Sequence, residues 1–160
     1  MNGRPERILI CSLAILLVGV YCYFKKTEKN PRYAGLFYKM AQDCKGQCPN
    51  EKKKYYYQKA VYHDPLFSNA YFEIASALEE EGRIDEAMPL YEEASRLNFR
   101  NSIANFKIAL NGFKNGDLDR AVRHLQQAIK HSRRRYHDAY YYLGRIYEMR
   151  KDYRKAVWHY

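Results

Sequence analysis

"NAYFEIASALEEEGRIDEAMPLYEEASRLN", residues 69–98, decides the fold once it is set beside "ANFKIALNGFKNGDLDRAVRHLQQAIKH", residues 104–131, and the closing "AYYYLGRIYEMRKDYRKAVWHY", residues 139–160. Ala87, Ala121 and Ala156 fall into register, 34 and then 35 residues apart. So do Ile74, Ile108 and Leu143, and the small residues Ala75, Ala109 and Gly144. Gly82 and Gly116 mark one turn, and Tyr91, Leu125 and Tyr160 share another position. A fixed period in this range is the signature of a solenoid. Each unit is expected to hold two helices whose small residues let the backbones approach closely. Glycine ends the first helix, and the acids of "GRIDEA" and "GDLDRA" sit in the first turn of the second, at the positive end of its dipole. The high charge and scarce Gly and Pro agree with a helical globular chain.

These residues resemble the tetratricopeptide repeat family, whose period is 34 and whose pattern runs bulky residue, Leu-Gly, Tyr, turn Gly, Ala, aromatic, Ala, Pro. The last unit carries Tyr140, Leu143, Gly144, Tyr147, Ala156 and Tyr160. The unit at Asn69 carries Tyr71, Ile74, Ala75, Leu78, Gly82, Ala87, Tyr91 and Ala94. The third unit departs from the pattern at Asn105 and Gly112. A degenerate first unit has Phe37, Met40, Ala41, Tyr57, Ala60 and Pro65, with Lys53 where the small residue belongs. The expected fold is all-α, a helix-turn-helix solenoid of about 3.7 repeats over residues 34–160, with units near 34–67, 68–101, 102–136 and an incomplete 137–160. Tyr147, Trp158 and Tyr160 should lie partly bare where the last unit stops, because a terminal repeat normally carries a polar capping helix. The expectation is a longer or truncated chain, or a partner over that end.

Before the repeats, residues 8–24 read "ILICSLAILLVGVYCYF", 17 residues without a charge. Such a helix covers about 25 Å, the short limit for spanning a membrane. Arg7 and Lys25 can snorkel, and Tyr21 and Tyr23 suit an interface. Small residues at cleavage spacing are missing near Val20–Tyr23, so an uncleaved single-pass anchor is expected, with a short tail 1–7 and a basic linker 25–33. Lys25, Lys26, Lys29, Arg32 and Lys39 outnumber Arg4 and Arg7, which favours a cytoplasmic C-terminal domain. Cys44 and Cys48 in "CKGQC" read either as a disulfide or as two free thiols.

The chemistry of sites is thin. His63, His124, His131, His137 and His159 form no metal motif, and no phosphate loop, nucleophile elbow or zinc-protease motif occurs. No enzyme, metal, cofactor or small-molecule substrate is expected. Residues 25–62 carry ten bases against three acids, 69–98 two against eight, and 99–135 nine against two. The acidic block interrupts any phosphate track, so no nucleic-acid partner is expected.

In the family that the chain resembles, first helices line a groove that holds a protein or peptide. Tyr38, Phe72, Phe106 and Tyr141 occupy its inward position, followed by Gln42, Ser76, Leu110 and Arg145, then Glu79, Phe113 and Glu148. Acids gather near Glu73, Glu79 and Glu80, with basic points at Lys107, Lys114 and Arg145. Two readings of the rings stay open: packing between first helices, or contact with a peptide. The implied function is a membrane-anchored scaffold for protein–protein interaction. The alternative is an accessory or docking subunit of an envelope complex, or the front of a protein with a downstream domain.

Overall fold

The computed structural model describes residues 29–44, 48–98, 100–132 and 136–160. The expected span at 8–24 lies outside them, as do the tail and most of the linker. Among the described residues no helix is long and apolar enough to cross a membrane.

Eight helices and no strand occupy the described residues: α1 (Pro31–Asp43), α2 (Asn50–His63), α3 (Ser68–Glu80), α4 (Ile84–Leu97), α5 (Ser102–Lys114), α6 (Leu118–His131), α7 (His137–Met149) and α8 (Tyr153–His159). Each packs on the next, so the fold is an antiparallel helical solenoid built from pairs.

Local chemistry sets the helix ends. Pro31 opens α1, where its missing N–H costs nothing, and the Asn30 side chain accepts from Arg32 N. Asn101, Asp117 and Asp152 cap α5, α6 and α8 by accepting from Ala104 N, Arg120 N and Lys155 N. The first helices of the last three units end alike. Gly82 (φ 78°), Gly116 (φ 80°) and Lys151 (φ 59°) each take a left-handed conformation. The next amide then reaches back five residues, as in Arg83 N to Leu78 O, Asp117 N to Gly112 O and Asp152 N to Tyr147 O, each 2.9 Å. Glycine adopts this geometry freely; Lys151 holds it against its own Cβ.

Small residues carry the helix-pair contacts. Ala75, Ala87, Ala109, Ala121 and Ala156 are at most 2% exposed. Gly112, the residue that departs from the repeat pattern, has a physical reason to be glycine. A Cβ there would lie 3.2 Å from Asp117 O and 3.3 Å from Ala121 N, both backbone atoms. At Gly144 the corresponding space is filled by the ring of Tyr160. Ile108, Leu125, Leu143 and Ile146 are fully buried, each contributing roughly 1.5–3 kcal/mol.

The buried side chains form two clusters. One joins the first two units with Ala104 and Ile108 of α5; the other runs from Ala109 through α7. Asn105 sits at the seam, 2% exposed, where a bulky apolar residue was expected. Its Oδ1 accepts from Ser95 Oγ at 3.1 Å and meets His124 Nδ1 at 2.9 Å, while its Nδ2 donates to Asn101 O. Lys54 pairs with Glu51 of its own helix and links the first unit to the second through Glu81, both 2.7 Å away. Cys44 and Cys48 are joined by a disulfide at the end of α1.

Candidate functional site

Side chains of successive first helices meet across the unit boundaries, which makes α1, α3, α5 and α7 one layer. Between α1 and α3, Tyr38 Oη donates to Glu73 Oε1 at 3.4 Å and Gln42 Nε2 donates to the same oxygen at 3.3 Å. Between α3 and α5, Lys107 Nζ lies 2.8 Å from Glu79 Oε1. Between α5 and α7, Phe106 and Phe113 both pack on Tyr142, with ring centroids 6.0 and 5.3 Å apart.

The four inward-position rings differ in exposure. Tyr38, Phe72 and Phe106 are half-buried, and Tyr141 is 47% exposed. Each has a backing ring. Tyr38 leans on Tyr57 and Phe67, Phe72 on Tyr91 at 5.6 Å, Phe106 on Tyr136 at 4.9 Å, and Tyr141 on Tyr142. Both readings of these rings are therefore present in one side chain: one part packs, the rest faces solvent. Leu110, Phe113 and Ser76 are half-buried in the same layer. Arg145 is exposed, 3.0 Å from Tyr141 Oη and 3.9 Å from Glu148.

Charge in the layer is tuned by neighbours. Burial alone would raise the Glu79 carboxyl, but the Lys107 ammonium and the Tyr91 hydroxyl, 2.7 Å from Oε2, outweigh it and hold the group below its usual range. Burial, and then Glu73, pushes the Tyr38 and Tyr57 phenols up, so both stay protonated donors. A cavity of about 240 Å³ opens beside them, between α1, α2 and α3, and is lined in part by Ala41, Gln42, Lys53, Tyr57, Glu73 and Glu80. Lys53 stands where other units have the buried alanine, and it lines this cavity together with Ala41.

Sequence reasoning singled out Tyr38, Gln42, Glu73, Ser76 and Glu80 separately; the structure brings them to one place. It missed Tyr57 and Asn50 as wall residues and Tyr142 as the backing ring. Tyr57 lies 34 residues before Tyr91, so the period could have found it. It also missed Ser95, Asn105 and His124, whose pairing crosses a unit boundary and leaves no periodic trace.

Two family models described as tetratricopeptide repeat match residues 68–101 and 106–160, together more than half of the chain. The chain belongs to the tetratricopeptide repeat family. Solved structures superpose on it at low identity, which shows the fold alone. The crystal structure of MamA aligns at TM-score 0.64 and 21% identity, covering 86% of this chain and 80% of that one. YrrB, described as a tetratricopeptide protein with an unusual peptide-binding site, aligns at 0.60 and 20%, covering 94% and 77%. The first tetratricopeptide domain of Spaghetti (RPAP3), bound to an HSP90 peptide, aligns at 0.62 and 16%, covering 76% and 96%. No curated protein matches the chain in sequence.

Proposed function

We propose that this chain is a membrane-anchored scaffold whose first-helix layer holds a peptide or protein segment. The observation that carries the groove is the set of rings at Tyr38, Phe72, Phe106 and Tyr141, each fixed by a second ring. Rings already held in place lose little side-chain freedom on binding, and buried aromatics commonly dominate interface energy. The YrrB and Spaghetti structures, with a peptide-binding site and a bound peptide respectively, support this use of the fold. Family members that clamp a C-terminal carboxylate use lysine at the inward position of the first unit. Tyr38 stands there, so that ligand class does not suit this groove. Anchoring rests on the uncharged run at 8–24, and the basic flank favours a cytoplasmic domain. Phe72→Ala and Phe106→Ala should each weaken capture of a bound partner by about 1–3 kcal/mol with helicity retained. Full capture by a folded double variant would move binding off this layer. Carbonate extraction should leave the protein with the membrane; release into the supernatant would remove the anchor.

A further inference from the structure

We infer that the cavity between the first two units is a subsite for one basic side chain of the bound segment, arginine or lysine. This rests on the reading of the first-helix layer as a peptide groove, and it names what the acidic half of that groove recognises.

The pairing of the acids points to it. Every other glutamate among the described residues has a lysine or arginine nitrogen within 4.0 Å. Glu73 and Glu80 are the two that do not, and both line this cavity. They lie seven residues apart on α3, two turns along one face. The contacts they do make are with neutral donors: Tyr38 and Gln42 at Glu73, and Asn50 Nδ2 at Glu80 Oε2, 3.4 Å away. Those donors orient the carboxylates without neutralising them, and Gln42 is itself held by Tyr57 Oη at 3.3 Å.

Shape agrees with charge. About 240 Å³ admits one long side chain and not a second helix. Ala41 and Ala77 give the walls no bulk, and Ser76 offers a hydroxyl between the two acids. Lys53 faces the same cavity without reaching either carboxylate, since no ion pair joins them within 4.0 Å. Its ammonium suits the backbone carbonyl of the residue whose side chain enters. An arginine is favoured over a lysine because its planar fork is more weakly hydrated and offers donors to carboxylates on two sides. Further along the layer the balance reverses: Glu79 is already neutralised by Lys107, and Lys114 has no acidic partner within 4.0 Å among the described residues. The groove therefore fixes the direction of its ligand, with the basic residue at the α1–α3 end.

A random twelve-residue peptide library panned against the full chain in detergent provides the probe. The selected peptides should share one arginine or lysine position. Replacing that arginine with its neutral isostere citrulline should weaken binding, read by fluorescence anisotropy, at least tenfold. Glu73→Gln with Glu80→Gln should weaken the arginine peptide by a similar factor and leave the citrulline peptide unchanged, with the melting curve as the check on folding. Selected peptides that lack a basic position, or a double variant that binds the arginine peptide as wild type does, would overturn the subsite. If those peptides still lose affinity on Phe72→Ala and Phe106→Ala, the groove stands without it. Peptides indifferent to both pairs of variants, or a library that yields no binder, would overturn both.

Discussion

Gly112→Ala is expected to destabilise the protein although it places a better helix former in the middle of α5. Alanine is favoured over glycine inside a helix by about 1 kcal/mol. Against that, the new Cβ would sit 3.2 Å from Asp117 O, 3.3 Å from Ala121 N and 3.6 Å from Ala121 Cα. These are backbone atoms, so no side-chain rotation relieves the contact, and α6 must move away by a few tenths of an ångström. Overpacking of this kind costs roughly 1–3 kcal/mol. The net expectation is a loss of about 1 kcal/mol, a fall in Tm of a few degrees for a chain of this size. Gly35→Ala is the control, because Gly35 is an exposed glycine inside α1 and an added Cβ would meet nothing within 4 Å. It should gain close to the full helix preference, about 0.5–1 kcal/mol. Thermal melts of both variants by far-ultraviolet circular dichroism make the comparison. A Gly112→Ala protein that melts at or above wild type would refute the close approach of α5 and α6.

Lys151→Gly should stabilise the last unit by about 1 kcal/mol, since it removes a left-handed residue with a Cβ; an unchanged or lowered Tm would contradict the turn geometry. His124 is held below its ordinary pKa by burial first, and then by the Arg120 and Arg123 charges, against a smaller pull from Glu92. The unfolded chain then binds that proton more readily, so stability should fall as pH drops below about 6.5 and level off above neutrality. His124→Asn, which keeps a donor towards Asn105, should flatten this slope in denaturant titrations, leaving the part due to His159, which burial shifts the same way. A slope unchanged in that variant would place the titration elsewhere. Cys44 and Cys48 report the side of the membrane: with the cytoplasmic placement proposed above, alkylation of freshly quenched cells should label both without reductant, and labelling only after reduction would place the domain in an oxidising compartment with the disulfide closed.

The solenoid was legible because its physics repeats. Ala75, Ala87, Ala109 and Ala121 must be small for the same reason in every unit, and a shared reason leaves a period. Gly82 and Gly116 announced their turns, whereas the equivalent turn at Lys151 was silent because lysine gives no such signal. Asn105 and Gly112 read as departures from the pattern, yet each answers a local need: one pairs with Ser95 and His124, the other clears the backbone of α6. The groove residues could be placed on a face by counting. Their partners could not, since Glu73 meets Tyr38 and Gln42 only through the stacking of two units.

The seam at Asn105 has a mechanical consequence. One buried carboxamide oxygen there meets both neighbours of α5, Ser95 of α4 and His124 of α6. At the seam the contacts are directional hydrogen bonds, which weaken steeply once bent or stretched. A turn of α4 or α6 against α5 would therefore be resisted at this point, beside alanine and isoleucine contacts that have no preferred direction. The carboxamide is a peg that keeps the third unit in register with the second, and a ligand lying across Phe72 and Phe106 would bridge the same two units.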